Sequence, residues 1–463
     1  MLFRSKKKGS RETIGSIKDG VFKISPTYLL KEKNKQLQTV VSQKAHDADG
    51  DTPSEPEGSP AAAVSATVDE ILTTTKFDRR APERIEVPML TLALGSMMSA
   101  LSGNTGCTEI SEAISNRFKP YFKKHLPRLV VERVSHDTVR NTMLLVDTGR
   151  FDSFFRKVLS QLPKVKPRVT AADGQAVRAT GSTDAGHNGH KEVHGAYMLM
   201  NFYDEANRIC LAHTLTLIEK KTNEIAVGPD ELGQLNIEGA VVTADAMSCQ
   251  VNFVETALKG GAHYCISLKG NQDRTFSEVR YLFNSQPDDR LVKYRPEAML
   301  DHGRIETNEL SLLRGGLLSN TLKDRWQGLK EGCIARVVRT CIKKTTGEQS
   351  VDERFFISSI PALEANAKRI FEVIRAHWSI ENRLHWMLDM RFSQDRVQAN
   401  EPRYIANRSA LNKLALAFLE HYRFWLWTTN RERNLLSVNL VQQRCLEPEV
   451  AMECLACGLG LLA

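Results

Sequence analysis

Two short apolar runs each end on a carboxylate: Arg168-Val169-Thr170-Ala171-Ala172-Asp173 and Ala240-Val241-Val242-Thr243-Ala244-Asp245. Both read as buried strands, which puts Asp173 and Asp245 at C-terminal strand ends, the edge where α/β sheets bind ligands. Two carboxylates there repel unless something neutralises them. A hard divalent cation does so, because Mg²⁺ takes one or two protein carboxylates and leaves its other positions to water and phosphate oxygens. A third carboxylate would complete a two-ion site for phosphoryl transfer. The best placed is Glu381, in Ala376-His377-Trp378-Ser379-Ile380-Glu381-Asn382-Arg383-Leu384-His385-Trp386-Met387-Leu388-Asp389. With Ile380, Leu384, Met387 and Leu388 turned inward on a helix, Glu381 shares its flank with His377 and His385, each four residues away. HExxH spacing is absent, so a zinc helix has little support. Taken singly, either aspartate could instead cap a strand–helix turn, and Glu381 could be an exposed helix residue.

Other reactive side chains are less organised. His187, His190 and His194 with Asp184 could bind a metal or touch DNA from a loop containing Gly186 and Gly189. Cys454-Leu455-Ala456-Cys457 is a single CxxC where zinc needs four ligands, so it reads as part of an apolar tail. Cys249, beside Asp245, reads as a packed thiol. Trp378, Trp386, Trp425 and Trp427 lie at helical spacings among apolar neighbours, which predicts core packing ahead of base stacking.

The elements that must position these residues follow from the hydrophobic period. Residues 82–155 are helical in spacing, with Leu90, Leu94, Met97, Met98 and Leu101 on one stripe and Ser135 as the cap of a later helix. After Pro167 the period becomes two. Strands are predicted at 168–173, 196–202 and 209–217, then a helix near 224–235, a strand at 240–245, a helix at 247–259 and a strand at 263–268. Three strands in meander order followed by strand–helix–strand predict a mixed sheet with parallel additions. Strand-like pieces at 305–313, 334–341 and 354–358 interrupt this pattern, and residues 361–427 are helical again.

The chain has 463 residues, 41% hydrophobic and 25% charged, a composition of ordinary globular type with room for about three domains. Its net charge of +8 is unevenly spread: residues 1–35 carry ten Lys/Arg against three acids, and residues 36–75 one Lys against seven acids. This predicts a basic arm followed by an acidic, flexible linker. Nine cysteines, mostly inside apolar runs, suit a reducing compartment. No signal peptide or membrane span is expected, because no uninterrupted apolar stretch is long enough.

Five blocks in order make a family recognisable: Val242-Thr243-Ala244-Asp245-Ala246-Met247-Ser248-Cys249-Gln250; Leu268-Lys269-Gly270-Asn271-Gln272; His302-Gly303-Arg304-Ile305-Glu306; His377-Trp378-Ser379-Ile380-Glu381-Asn382; and Leu384-His385-Trp386 with Leu388-Asp389. Together with Ser135-His136-Asp137-Thr138 upstream, they resemble the H-repeat-associated, ISAs-type insertion-sequence transposases over about residues 82–422. The resemblance implies an α/β fold: an RNase H-like mixed five-stranded sheet with flanking helices and a β-rich insertion, preceded by a small helical domain. It divides the chain into the arm and linker (1–80), a helical DNA-binding domain (81–160), a catalytic domain (165–430) with its insertion at about 275–360, and a C-terminal tail (431–463).

By the same resemblance Asp173, Asp245 and Glu381 form a catalytic triad that holds Mg²⁺ or Mn²⁺, and Arg178, Lys269, Asn271, Arg304, His377 and Arg383 contact DNA. The implied activity is cleavage at element ends and strand transfer into target DNA, by a homodimer on double-stranded DNA in the cytoplasm at the nucleoid. Gln175 stands where the family usually has Lys, and Ser248 where Gly is usual. The Tyr, Arg and Lys that accompany the Glu in the wider group fall here on Ile374, His377 and Leu388, with Arg375 among the possible replacements. These departures keep open a catalytically decayed DNA-binding protein, and a metal-dependent nuclease without strand transfer shares the same triad.

Overall fold

The computed structural model describes residues 2–7, 10–18, 21–24, 59–80, 85–162, 168–185, 191–194, 196–217, 223–301, 303–399 and 401–462. Contacts divide the chain into two units, 1–54 and 55–463. In the first unit β1 (Leu2–Lys7), β2 (Ser10–Lys18) and β3 (Val21–Ile24) form an antiparallel meander. The sequence read this stretch only as a basic arm, because its charges hide the alternation.

The second unit opens with helices α1 (Pro60–Thr74), α2 (Met89–Leu101), α3 (Cys107–Glu112), α4 (Lys119–His125), α5 (His136–Leu145) and α6 (Thr148–Gln161). The start of α1 is dictated locally: Ser59 accepts from the Ala62 amide at 3.2 Å and Pro60 occupies the first turn, where its missing N–H costs nothing. This helix lies within the stretch expected to be linker. Its Val64, Val68 and Ile71 are buried, so the Ala/Val run is a packing face. Ser135 caps α5 as expected, accepting from Thr138.

The sheet strands are β4 (Val169–Val177), β5 (Ser182–Ala185), β6 (Lys191–His194), β7 (Tyr197–Asp204), β8 (Ile209–Leu217), β9 (Val241–Ala244), β10 (His263–Leu268), β11 (Val292–Tyr294), β12 (Met299–Asp301), β13 (Arg304–Arg314), β14 (Cys333–Lys343) and β15 (Gln349–Ser358). Interleaved are α7 (Asn223–Leu232), α8 (Val251–Lys259), α9 (Asp273–Ser285) and α10 (Asn320–Arg325). The main sheet runs β11-β13-β14-β15-β10-β9-β4-β7-β8, with β12 on β13, while β5 and β6 pair separately. Among the described residues only β4–β9 and β9–β10 are parallel. The central parallel strand β9, Val241-Val242-Thr243-Ala244, is buried throughout, as a strand covered on both faces must be. The insertion is not a separate body, since β15 pairs antiparallel with β10 and extends the same sheet.

Strand alternation sorts side chains between two faces. Ala172, Val242 and Ala244 pack with Phe253, Val254 and Val279 of α8 and α9. Val169 and Val241 pack with Ile370, Phe371 and Ile374 of α11 (Glu364–His377). After α11 the chain makes a π-helical turn, Ile380–His385, then α12 (Trp386–Phe392), α13 (Pro402–Thr428), α14 (Val438–Arg444) and α15 (Pro448–Gly458). Helices α1–α6 share one apolar cluster with α13 and α15, including Val68, Leu94, Phe155, Leu414, Phe418 and Leu455. The helices expected to be a self-contained domain and the residues expected to be a tail are thus halves of one core. Each presents a stripe too wide to cover alone. Where α15 meets α13, Gly458 allows the contact: a Cβ there would lie 2.5 Å from Phe418 Cδ1. Among the described residues no helix is long and apolar enough to cross a membrane.

Candidate active site

Ala172 pairs with Ala244 across the parallel strands β4 and β9, so Asp173 and Asp245 each follow the last pair of that ladder, Asp173 within β4, which runs on to Val177, and Asp245 just beyond the end of β9. Asp173 has the parity of Val169 and therefore faces α11 and the π turn. Asp245 is held differently. Its Oδ1 accepts from the Met247 and Ser248 amides, both at 3.1 Å, in a turn that ends the strand and leaves Oδ2 outside it. Asn271 braces that turn by donating to the Ala246 carbonyl at 2.5 Å, and Gln272 donates to the Cys249 carbonyl at 2.9 Å. Cys249 is buried, and burial pushes its thiol up to about 12, consistent with a packed group.

Two histidines of the α11–α12 segment touch these strands. His377 Nδ1 lies 3.2 Å from Thr243 Oγ1, and burial pulls its pKa to about 4 against the raising influence of Asp245. His385 Nδ1 lies 3.7 Å from Asp173 Oδ2. Burial, with Lys413 and His377 nearby, pulls His385 to about 3. Glu381 stands exposed between the two, on the π turn closed by the Trp386 amide to the Glu381 carbonyl. Such turns recur at functional sites because one extra residue re-aims the side chains around it.

Gln175 also faces this side. It is buried and donates to Asp389 Oδ1 at 2.9 Å, so the residue that replaces the family's Lys anchors β4 to α12. Burial first, then Asp395, raises Asp389 to about 6. Two further residues went unread in the sequence: Lys413 of α13 donates to Asn201 Oδ1 at 2.7 Å, and Asn201 Nδ2 lies 3.0 Å from His385 Nε2. A lysine amid the apolar run Leu411–Leu419 was the available signal.

The other expected contacts are dispersed. Arg178 follows β4 and lowers Asp389 through its charge. Lys269 is exposed at the end of β10, and Arg304 is exposed at the tip of β13. Arg383 donates to Glu205 at 3.2 Å and lines a cleft of about 1110 Å³ between α11 and strands β13–β15. That cleft also carries Arg168, Arg339, Arg354, Arg369 and Arg375 against Glu205, Glu306 and Glu372. Arg339 and Arg375 share Glu306 at 2.7 and 2.8 Å, and Arg354 stacks over Trp378 at 4.6 Å. Trp378, Trp386 and Trp427 are exposed rather than packed in the core as their spacing suggested. Of the His187, His190, His194 and Asp184 group, His187 and His190 lie outside the described residues, as do the side chains of the other two.

The adjacent aspartates are a hard-oxygen pair that suits a hydrated Mg²⁺ or Mn²⁺ ion. Among the described residues no group of three or more His, Cys, Asp or Glu side chains is set to hold a metal.

A mixed sheet with flanking helices defines an α/β protein, and the candidate carboxylates follow the parallel β4–β9 pairing at its centre. Residues 164–418 match the Transposase DDE domain family, more than half of the chain, and the chain belongs to that family. It is 27% identical over 333 residues to YncI of Escherichia coli, a protein with a transposase name, spanning 70% of this chain and 79% of that one. Over the same length it is 26% identical to YhhI of Escherichia coli, an H repeat-associated protein also named as a transposase, spanning 69% and 81%. YbfL of the same species is 28% identical over 270 residues, 56% of this chain and 66% of its own.

Proposed function

We propose that the protein is a DNA transposase that cleaves phosphodiester bonds at the ends of an insertion sequence and transfers the freed strand into target DNA. The observation that supports this reading is the parallel β4–β9 register, which pairs Ala172 with Ala244, the residues just before Asp173 and Asp245, inside the segment matched by the family. The strand order β8-β7-β4-β9-β10, an antiparallel meander followed by two parallel additions, supports an RNase H-like core. Glu381 is assigned as the third carboxylate because it lies four residues from His377, which meets β9, and four from His385, which meets β4. A bound Mg²⁺ or Mn²⁺ pair would supply charge neutralisation of the phosphate and stabilisation of the attacking and leaving oxygens. Asp173, Asp245 and Glu381 would hold it, and the buried helix packing behind them fixes the strand ends in place.

DNA is assigned to the arginine-lined cleft and to Arg178, Lys269 and Arg304, with a homodimer acting on two element ends at the nucleoid. The test is cleavage and joining of DNA carrying the element's terminal repeats. Asp173→Ala, Asp245→Ala and Glu381→Ala should each lower Mg²⁺-dependent nicking by at least about 10³-fold while DNA binding persists. Variants that nick as fast as the parent would overturn the assignment. A second reading, a DNA-binding protein with decayed catalysis, draws on Gln175 and on the open arrangement of the carboxylates, and binding without any nicking by the parent would favour it. Nicking without a joined product would favour a nuclease.

A further inference from the structure

Lys413, Asn201, His385 and Asp173 form a continuous line of polar groups from the middle of α13 to the first carboxylate. Lys413 is 2% exposed, Asn201 is fully buried and His385 is 9% exposed, in a region otherwise packed with Ala171, Tyr203, Cys210 and Leu414. Burying an ammonium group costs several kcal/mol unless it is compensated, so its placement needs a reason.

The bonding sense of this line follows from the donor inventory. An ammonium only donates, so Lys413 Nζ must bond to Asn201 through the amide oxygen, at 2.7 Å. The Asn201 amide nitrogen is then the atom turned to His385 Nε2, at 3.0 Å. Because that nitrogen only donates, Nε2 must be the unprotonated ring atom. The neutral ring then carries its proton on Nδ1, 3.7 Å from Asp173 Oδ2. Without Asn201 either tautomer would satisfy the ring, and the wrong one would turn a lone pair toward a carboxylate.

We propose that Lys413 and Asn201 are positioning residues that lock His385 in the Nδ1–H tautomer and so turn an N–H rather than a lone pair toward Asp173, 3.7 Å away, favouring the carboxylate orientation required of a metal ligand. The last clause rests on the reading of Asp173 as a ligand; the tautomer does not. Groups behind first ligands commonly contribute 10–100-fold to metal affinity by fixing their orientation.

Asn201→Asp gives a clean test, because it keeps the shape and the Lys413 contact but replaces the donor facing His385 with an acceptor. In metal-free protein labelled with ¹⁵N-histidine, the His385 signal, assigned by its loss in His385→Gln, should report Nδ1–H in the parent and Nε2–H in Asn201→Asp. Mn²⁺ affinity, read by electron paramagnetic resonance of the free ion, should fall about 10-fold in Asn201→Asp and in Lys413→Met. Both variants should melt within a few degrees of the parent, which separates positioning from loss of fold. An unchanged His385 tautomer in Asn201→Asp overturns the proposal. Unchanged Mn²⁺ affinity in Asp173→Asn overturns the ligand reading instead and leaves the tautomer result to stand alone.

Discussion

Asp389 shows how the substitution at Gln175 reaches into stability. Burial raises this carboxyl from 3.8 to about 6, and Gln175 relieves only part of that by donating a hydrogen bond. The folded chain therefore holds a proton that the unfolded chain has released. Its contribution is favourable below the unfolded value, declines between about pH 4 and pH 6, and is a constant penalty above. Asp389→Asn should raise the melting temperature at pH 7.5 and leave it unchanged near pH 3.5, as thermal unfolding would record. The gain should be well under the ~1.4 kcal/mol per pKa unit of a fully buried group, because this one is half solvated. At this scale, legibility in sequence depended on locality. Asp173 and Asp245 could be read because each closes a short apolar run, although β4 continues past Asp173 to Val177 and only Asp245 follows the end of its strand. Lys413 and Asn201 could not, because their bond spans 212 residues and exists only once α13 lies on β7.

At the scale of elements, period-2 alternation revealed β7, β8, β9 and β10 nearly to the residue, with β13, β14 and the last half of β15, but it stopped β4 at Asp173, four residues short of Val177, and missed β11 and β12. What it missed were elements whose stability comes from distant surfaces. The Ala/Val run of α1 is covered by α2 and α6 and, from the far end of the chain, by α15, and the π turn at Glu381 leaves no mark in composition. The contact between α13 and α15 is a sensitive joint. Gly458→Val should cost about 1–3 kcal/mol, because its side chain must displace the Phe418 ring and overpacked cores relax poorly. Gly270→Ala, where a Cβ meets nothing within 4 Å, should leave the unfolding midpoint in place and serves as the control.

For the whole molecule, the +8 of net charge says less than where its cations stand. The cleft between α11 and the insertion concentrates six arginines against three glutamates, and Arg168 and Arg369 form no ion pair among the described residues. If that cleft carries a DNA backbone, the Arg168→Ala/Arg369→Ala double variant should flatten the plot of log K against log salt by about 1–2 units, as fluorescence anisotropy over a salt series would measure. An unchanged slope would move the DNA elsewhere on the surface. The fusion of the insertion to the main sheet has one more consequence. From β10 the ladder passes without a break to β15 and β14 and so to the hairpin end, where Arg304 pairs with Lys343. Strands so joined act as a ruler, graduated at about 3.3 Å per residue, whose zero is the aspartate pair. Lengthening both arms of the β14–β15 hairpin by two residues would keep every side chain on its own face and carry the tip about 7 Å outward from the aspartates.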